Sequence, residues 1–279
     1  MIRGKNVTIK FKYLLSSLRK MKQVIVAYSG GVDSTFLLRA AIEALGCEKV
    51  TACIAESPLF PHEESVFARG LCRKWNVAFF VISTHEMNNP AFVRNASDRC
   101  YHCKKGLFKL MLQQAKEKEV TYVLDGSNVD DRKDHRPGRR ALQELGIVSP
   151  LLESGFTKQE IRKLSRALRI PTADKPSLAC LGSRIPYGTR ITEKGLQKVH
   201  NAERIVRSFG ILQCRVRDYG DLARIEVLSK DIQKLTRTGI RAVLSRKFKK
   251  LGYKYVTLDL EGYRTGSMNF ILTKKNKEG

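Results

Sequence analysis

One short stretch, residues 24–38, most constrains what this chain can fold into. It reads Val24-Ile-Val-Ala-Tyr-Ser-Gly-Gly-Val-Asp-Ser-Thr-Phe-Leu-Leu38, so an apolar run stops at a glycine pair and helix-period residues follow at once. This order predicts a strand, a tight loop and a helix N-terminus. Glycines allow a sharp turn, and the unpaired N–H groups and positive dipole end of a helix attract anions. We therefore predict a phosphate-binding loop at 29–34.

Strands and helices alternate through the next part of the chain. Strands are predicted at 50–55, 77–82 and 122–124, and helices at 8–21, 61–74, from about 103 and at 138–145. A capping box, Thr157-Lys-Gln-Glu160, marks the start of a further helix. This alternation predicts an α/β fold with a doubly wound, mostly parallel sheet. Ligands of such sheets bind beyond the carboxyl ends of the strands, where the loop at 29–34 lies.

The pattern changes after the proline-rich segment 171–190, which indicates a domain boundary. A helix at 192–209, strands at 212–217 and 222–227 joined by a hairpin-like turn, a helix at 230–250 and a strand at 255–258 follow. We therefore predict two domains, residues 1–180 and a smaller α+β domain at 181–279. The segment 84–102 has no periodicity and is interpreted as a long loop.

Composition narrows the class of protein. No apolar run approaches the roughly 20 residues of a membrane span, and residues 1–5 lack the features of a signal peptide, so we expect a cytoplasmic protein with no membrane partner. The net charge of +25 indicates an anionic partner and makes nucleic acid worth considering. Much of the excess lies in runs typical of a solvated surface, at 246–250 and 274–277.

The seven cysteines fall into two groups. Four stand singly among apolar or strand-like neighbours and are interpreted as structural: Cys47, Cys53, Cys72 and Cys214. Cys100-x-x-Cys103 stands at a predicted helix start, which favours thiolates, and Cys180 on the loop 171–190 is a third candidate ligand. Three thiolates suit a [4Fe–4S] cluster with one open iron. Zinc, a catalytic thiol at Cys180, and three unrelated buried cysteines are the alternatives.

Two sets of residues resemble known proteins. Ser29-Gly-Gly-Val-Asp33-Ser34 lacks the lysine of a P-loop and resembles the S-G-G-x-D-S signature of the PP-loop ATP pyrophosphatases, of the adenine nucleotide α hydrolase-like fold. The blocks at 174–188, 215–217, 222–226 and 258–269 resemble the LarE-type sulfur transferases, the pyridinium-3,5-bisthiocarboxylic acid mononucleotide synthases that build the nickel-pincer cofactor of lactate racemase. This second resemblance covers nearly the whole chain, and the block around Cys180 is its most specific part.

The resemblance implies a reaction. ATP adenylates a carboxylate of pyridinium-3,5-biscarboxylic acid mononucleotide, sulfur attacks the mixed anhydride, AMP leaves, and repetition converts both carboxylates to thiocarboxylates. One branch of the family sacrifices a cysteine at the position of Cys180, and another holds a [4Fe–4S] cluster on three cysteines. Because Cys100, Cys103 and Cys180 are all present, we expect the three-cysteine branch and a renewable supply of sulfur from sulfide or another sulfur donor. The family resemblance also implies a homo-oligomer, expected to be a hexamer.

The candidate site residues follow from the motif, from charge and from position. The predicted ATP site comprises Ser29, Gly30, Gly31, Asp33, Ser34, Asp125, Gly126 and Asn128, with Asp33, Asp130 and Asp131 as candidate Mg²⁺ ligands. Two residues are predicted to be catalytic: Cys180, and Lys104, which is expected to neutralise the anion formed on adenylation. The predicted mononucleotide site comprises Ser183, Arg184, Arg215 and Arg217, with Glu203 and Glu226 as buried acids that bind substrate or pair with arginine.

Three other functions compete with this one. A PP-loop tRNA thiolase would share the loop, the cluster and the basic surface, but such enzymes commonly add further C-x-x-C pairs or an RNA-binding domain, and this chain has one such pair. An ammonia-dependent amidating ligase leaves the cysteines unexplained. A non-enzymatic RNA-binding module leaves the Ser29 loop unexplained. We therefore expect no nucleic-acid partner.

Overall fold

The computed structural model describes residues 2–132, 137–177 and 179–269, with side chains from residue 6 onward. The lysine run predicted at 274–277 as solvated surface lies outside the described residues. In the described part, the helices are α1 (Ile2–Arg19), α2 (Val32–Leu45), α3 (His62–Lys74), α4 (Pro90–Val93), α5 (Arg99–Glu117), α6 (Gly138–Glu144), α7 (Pro150–Glu153), α8 (Lys158–Ala167), α9 (Glu193–Arg207), α10 (Ser229–Thr236) and α11 (Thr238–Lys250). The strands are β1 (Val24–Ala27), β2 (Val50–Glu56), β3 (Ala78–Ser83), β4 (Tyr122–Leu124), β5 (Cys214–Tyr219), β6 (Leu222–Val227) and β7 (Tyr255–Leu258).

These residues separate into two compact units. The first comprises the described residues of 2–57, 61–86 and 100–177, and the second those of 58–60, 87–99 and 179–269. None of the described helices is both long enough and apolar enough to cross a bilayer.

The first unit is built on a parallel sheet with the strand order β3-β2-β1-β4. The order reverses direction between β1 and β4, which makes the crevice beyond these two strands the topological switch point where ligands of such sheets bind. A parallel bridge from Leu124 to Val148 extends this edge. The prediction of a doubly wound α/β sheet is confirmed.

Helices cover both faces of this sheet. Val24, Val26 and Ile54 point into a core shared with α1, α2 and α8, whereas Ile25 and Cys53 point into a second core shared with α5. Successive strand residues alternate between the two cores because side chains of a strand point to opposite faces. The capping box at Thr157 and Glu160 is confirmed, and Gly46 is the C-cap of α2.

The second unit contains a mixed sheet in the order β5-β6-β7, with β5 antiparallel and β7 parallel to β6. Helices α9, α10 and α11 contribute Val206, Leu235 and Phe248 to a core on one face of this sheet. The α+β prediction for this part of the chain is confirmed, and the predicted bounds of β6 and β7 match the observed ones.

Three local predictions were wrong. The single helix predicted at 230–250 is two helices, because Arg237 is extended (φ −56°, ψ 133°) among the weak helix formers Thr236, Thr238 and Gly239. The helix predicted to begin near residue 103 begins at Arg99, so both cysteines of the C-x-x-C pair lie in its first turns. The supposed loop at 84–102 contains α4, which an Asn89 cap and Pro90 start.

Candidate functional site

The loop that follows β1 turns directly into helix α2. Gly30 has a left-handed backbone (φ +68°), and a Cβ built there would lie 3.4 Å from the Cβ of Ala68. The hydroxyls of Ser29 and Ser34 lie 3.1 Å apart across the turn, and Ser34 Oγ also accepts from the Ser29 amide. Gly31 caps the helix through its backbone alone, with no side-chain hydrogen bond. The first turn of α2 therefore has the backbone form of an anion-binding site.

The segment after β4 lies against this same helix turn. A Cβ built on Gly126 would lie 3.1 Å from the Ser34 amide nitrogen and 3.2 Å from its Cα. A Cβ at this position would force one of the two backbones to move by a few tenths of an ångström. The predicted residues of the Ser29 loop and of Asp125, Gly126 and Asn128 are thus brought together at the switch point.

Asp125 is the buried acid of this segment. Its Oδ1 accepts from the Ser127 amide at 2.9 Å and the Ser149 hydroxyl at 3.0 Å, and its Oδ2 lies 3.2 Å from Lys104 Nζ. Burial alone would raise the pKa of Asp125, but the Lys104 ammonium and the bonds from Ser127 outweigh it and lower that pKa. The carboxylate stays ionised and holds the Lys104 side chain at the end of β4.

Asp33, in the first turn of α2, is paired with a lysine that the sequence analysis did not single out. Lys158 Nζ contacts Asp33 Oδ2, and Oδ1 of Asp33 has no hydrogen-bond partner among the described residues. Burial raises the pKa of Asp33 although Lys158 opposes that shift. A signal for Lys158 was present: it stands at the first position of α8, where a positive charge opposes the helix dipole and calls for an anionic partner.

A second overlooked lysine, Lys175, holds the loop from another side. Its Nζ donates to the Gly30 carbonyl at 3.0 Å, pairs with Glu64 Oε2 at 2.5 Å and lies 4.2 Å from the centre of the Phe67 ring. No local pattern marks this residue, because its partners are distant in the chain.

The acids predicted as further magnesium ligands, Asp130 and Asp131, each accept a hydrogen bond from a backbone amide. Asp131 Oδ2 accepts from the Asn128 amide at 3.0 Å, and Asp130 Oδ2 accepts from the Lys158 amide at 2.8 Å. Asp131 is buried rather than solvated. Asp130 thereby fixes the start of α8, and with it the position of Lys158.

Of the four cysteines interpreted as structural, three are buried and Cys47 is only partly buried. Cys53, Cys72 and Cys214 are buried, and burial raises the pKa of each thiol, to about 12, about 11 and about 12. Cys100, Cys103 and Cys180 are only partly buried, as is Cys47, whose thiol donates to the Trp75 carbonyl. The raised pKa keeps the three buried thiols protonated. The partly exposed cysteines are therefore the better candidates for metal ligands.

Cys100 and Cys103 lie in the first unit and Cys180 lies in the second. The Cys103 thiol donates to the buried Glu86 carboxylate at 3.8 Å. Within the described part of each unit, no three histidine, cysteine or carboxylate side chains come together as a metal-ion site. A cluster shared by the three cysteines stays a prediction.

Cys180 precedes a 3-10 turn, Leu181–Arg184, that is anchored by a buried ion pair. Arg184 donates to the carbonyl of Cys180 at 2.9 Å, and its Nε and Nη2 meet the two carboxylate oxygens of Glu203 at 2.7 and 3.1 Å. The Ser183 hydroxyl donates to the same Cys180 carbonyl at 2.8 Å. Arg184 and Glu203 are each 1% exposed as side chains. Glu203 was predicted either to bind substrate or to pair with an arginine, and the structure shows it paired with Arg184.

A second buried pair stands on neighbouring strands. Arg217 of β5 meets Glu226 of β6 through Nε at 3.0 Å and Nη2 at 2.6 Å, and donates to the Ser183 carbonyl at 2.9 Å. Arg215, two residues earlier on the same face, is buried, lies 5.2 Å from the Tyr263 ring, and has its pKa lowered to about 10 by burial and by Arg184. Ser183, Arg184, Glu203, Arg215, Arg217 and Glu226 thus form one polar cluster of the second unit.

Known proteins resemble this chain along nearly its full length. An uncharacterized protein of Synechocystis sp. is 40% identical over 265 residues, 95% of this chain and 98% of its relative. The pyridinium-3,5-bisthiocarboxylic acid mononucleotide synthase of Lactiplantibacillus plantarum is 36% identical over 261 residues, 94% of each chain. An uncharacterized protein of Methanocaldococcus jannaschii is 32% identical over 260 residues, 92% of this chain and 97% of its relative.

No protein-family model matches the chain. The alignment to the synthase nevertheless spans the Ser29 loop, the C-x-x-C segment and the polar cluster, because it covers 94% of the chain. The parallel sheet with its glycine loop at the switch point and the small mixed sheet agree with the fold expected of that group. The chain therefore belongs to the LarE family, that of pyridinium-3,5-bisthiocarboxylic acid mononucleotide synthase.

Proposed function

We propose that this chain is an ATP-dependent, AMP-forming sulfur transferase that converts both carboxylates of pyridinium-3,5-biscarboxylic acid mononucleotide to thiocarboxylates, a step in nickel-pincer cofactor synthesis. The observation that carries the proposal is the convergence of the Ser29 loop, Gly126 and the Lys104–Asp125 pair at the switch point of the parallel sheet. The printed name of the relative from Lactiplantibacillus plantarum supplies the product.

The activation step needs an anion site for the leaving group. A carboxylate oxygen of the substrate attacks the α-phosphorus of ATP, the bond from that phosphorus to the bridging oxygen breaks, and pyrophosphate leaves with the electron pair. The amides of the Ser29 loop and the dipole of α2 are suited to hold the pyrophosphate. Lys104, fixed by Asp125, is suited to neutralise the charge that develops on the α-phosphate.

The transfer step needs a sulfur nucleophile. A [4Fe–4S] cluster on Cys100, Cys103 and Cys180, when bound, would supply hydrosulfide at its open iron. The donor chemistry fits, since these thiols are partly exposed whereas Cys53, Cys72 and Cys214 are buried and protonated. Sulfur attacks the acyl carbon, the bond to the adenylate oxygen breaks, and AMP departs. With this sulfur source the enzyme keeps Cys180 intact.

The substrate carries a phosphate and two carboxylates, and the polar cluster of the second unit favours such an anion. Three buried arginines, Arg184, Arg215 and Arg217, share two carboxylates, Glu203 and Glu226. The planar guanidinium of arginine matches the geometry of a phosphate and can bind it through two N–H groups at once. We assign the mononucleotide phosphate to this cluster.

One experiment tests activation and sulfur source separately. The protein is purified without oxygen, its iron and visible spectrum are measured, and ATP, Mg²⁺ and the biscarboxylated mononucleotide are added while AMP, pyrophosphate, product and protein mass are followed. We expect AMP and pyrophosphate to accumulate with thiocarboxylated product, and the protein mass to stay unchanged.

Two outcomes contradict parts of the proposal. Loss of one hydrogen sulfide from Cys180 in an iron-free protein would leave the activity standing and refute the cluster. Thiolation of tRNA without turnover of the mononucleotide would refute the substrate. C100S and C103S should each lose iron and turnover, and C47S, a change at a cysteine of similar exposure, should lose neither.

A further inference from the structure

Lys175 joins the Ser29 loop to helix α3. Its ammonium donates to the Gly30 carbonyl at 3.0 Å, pairs with Glu64 Oε2 at 2.5 Å and lies 4.2 Å from the centre of the Phe67 ring. The side chain is 17% exposed, although the residue lies 145 positions after Gly30 in the sequence. Because its N–H donors are directed at protein groups, this ammonium has a fixed contact with the loop.

The bond to Gly30 sets the direction of the next backbone amide. A peptide unit is planar and trans, and no cis bond occurs among the described residues, so the Gly30 carbonyl and the Gly31 N–H point to opposite sides. With the carbonyl held on Lys175, the Gly31 N–H is directed away from that lysine. The N–H makes a long bond, 3.4 Å, to Ser29 Oγ. Since N–H···O bonds are usually about 2.7–3.2 Å long, a stronger acceptor can take this donor.

Local sterics leave the peptide between the two glycines free to turn. Gly30 and Gly31 have no side chains, and glycine gives the backbone more freedom than any other residue. The carbonyl of Gly31, by contrast, is held from within α2, by the amide of Thr35 at 3.0 Å and by its hydroxyl at 2.6 Å. Lys175 supplies the corresponding hold on the carbonyl of Gly30.

The backbone of Lys175 is itself fixed against α8. Arg162 of that helix donates to the carbonyls of Ala173 and Lys175 at 2.6 and 2.8 Å. The Lys175 amide donates to the Thr172 carbonyl at 3.0 Å. Because the base of this long side chain is anchored, the ammonium reaches the loop at a defined place.

We propose that Lys175 is a positioning residue of the activation site, which fixes the Gly30–Gly31 peptide so that the Gly31 N–H is directed at a phosphate oxygen of ATP. The inference rests on the proposed use of ATP and adds to it the orientation of one amide donor. Lys175 acts through the peptide, and the ligand class is a nucleoside triphosphate.

Titration calorimetry with the α,β-methylene analogue of ATP, which resists cleavage between the α and β phosphates, measures the effect on binding. Lys175→Met keeps most of the stem and removes the ammonium. It should weaken binding roughly 10- to 100-fold, the range of one lost hydrogen bond to a charged group. Lys175→Arg can still donate to the Gly30 carbonyl and should keep part of the affinity. The arginine variant also decides the question if Lys175→Met does not fold.

Lys10 offers a matched control, because its ammonium makes the same kind of contacts elsewhere. It donates at 2.8 Å to the carbonyl of Gly155, another glycine with a left-handed backbone, and pairs with Glu160 at 2.9 Å. Its side chain is 22% exposed. Lys10→Met should lower the urea midpoint about as much as Lys175→Met and leave the affinity for the analogue unchanged. Equal losses of affinity in the two variants would overturn the proposal.

The amide itself can be followed by NMR, because residues 30 and 31 are the one glycine–glycine pair of the sequence. Protein made by cell-free synthesis with glycine labelled by ¹³C at the carbonyl and by ¹⁵N gives a single HNCO signal, that of Gly31. We expect the analogue to move the Gly31 proton downfield in the wild-type protein, as a bond to an anion does. At saturation, the shift should be much smaller in Lys175→Met.

Wild-type affinity in Lys175→Met would overturn the proposal. A wild-type Gly31 shift in saturated Lys175→Met would also overturn it, because the lysine would then act by its charge alone. Absence of binding by the wild-type protein would instead refute the use of ATP, so the two failures are distinguishable.

Discussion

At the scale of single residues, the site depends on positions where one atom decides whether two segments fit. Gly126 lies against the backbone of Ser34, and the space for a Cβ is occupied by main-chain atoms that belong to helix α2. A backbone neighbour cannot rotate away as a side chain can. We therefore expect the contact between the Gly126 segment and the first turn of α2 to depend on glycine.

Gly126→Ala tests this requirement. We expect a loss of about 1–3 kcal/mol in the free energy of unfolding, typical of overpacking, together with weaker ATP binding because the first turn of α2 must shift. Urea denaturation and calorimetric titration measure the two effects. The control is Gly106→Ala in helix α5, where a Cβ meets nothing within 4 Å; it should raise stability by roughly 0.5–1 kcal/mol. Unchanged ATP affinity in Gly126→Ala would argue against the close approach.

Glu203 is the residue that makes the second unit sensitive to acid. Burial by itself raises its pKa, but Arg184, Arg207 and Arg215 outweigh burial and lower that pKa. Because the folded pKa lies below the unfolded value of about 4.3, the ionised pair stabilises the fold at pH values above it. That contribution is lost as pH falls through the folded pKa.

Urea denaturation from pH 7 down to pH 3 tests this linkage. We expect the midpoint of the wild-type protein to fall as pH decreases below about 4.3. Arg184→Met should cost roughly 3–5 kcal/mol at neutral pH, because it leaves a buried carboxylate without its main partner. The double variant Arg184→Met/Glu203→Leu should recover most of that loss and show a weaker pH dependence. An equally steep pH dependence in the double variant would assign it to other groups.

At the scale of elements, a short segment of the second unit holds the loop that follows Cys180. Asn95, fully buried with a left-handed backbone (φ 59°), donates through Nδ2 to the carbonyls of Pro186 and Thr189, each at 2.8 Å. Its own carbonyl accepts from Gly188 at 3.0 Å, and Val93 accepts from Ile191 at 2.9 Å. One asparagine thus joins the α4 segment to residues 186–191.

Asn95→Ala should therefore loosen the loop that follows Cys180. The substitution removes the hydrogen bonds of the Asn95 side-chain amide. It also puts alanine in a left-handed backbone conformation, which alanine tolerates less well than asparagine. We expect a combined cost of roughly 2–4 kcal/mol in the free energy of unfolding. We expect faster labelling of Cys180 by a thiol reagent, read by peptide mass spectrometry. Asn95→Gly keeps the backbone freedom and loses only the side-chain bonds, so its labelling rate should be intermediate. Rates equal to wild type in both would refute this role.

At the scale of the whole molecule, a net charge of +25 gives the protein an attraction to any polyanion. Exposed lysines and arginines of α11, which has no acidic residue, are part of this charge. Charge of this kind attracts nucleic acid without reading it, since phosphate contacts carry no sequence information.

Binding of tRNA should consequently be weak and steeply dependent on salt. We expect affinity measured at about 50 mM salt to fall by orders of magnitude at about 200 mM, as counterion release requires, and no thiolated nucleoside to appear. A filter-binding series with nucleoside analysis measures both. Binding that persists at high salt, with thiolation, would favour the tRNA thiolase over the proposed function.

The local features of this protein were predictable from sequence because each depends on neighbouring residues. The strand–loop–helix at 24–38, the capping box at Thr157 and the strands β6 and β7 all follow from periodicity, glycine and hydrogen bonds within a few residues. The break at Arg237 was missed because its causes, two threonines and a glycine, are individually weak.

The candidate site was predictable only in part, for a physical reason. Periodicity and motif chemistry predicted the glycine loop at the start of α2 and the burial of Glu203, because both depend on neighbouring residues. Phosphate binding at that loop stays a prediction. Periodicity and motif chemistry do not identify partners, because an ion pair depends on which elements the topology brings together. The pairings of Lys158 with Asp33, 125 residues apart, and of Arg184 with Glu203 were decided by tertiary structure alone.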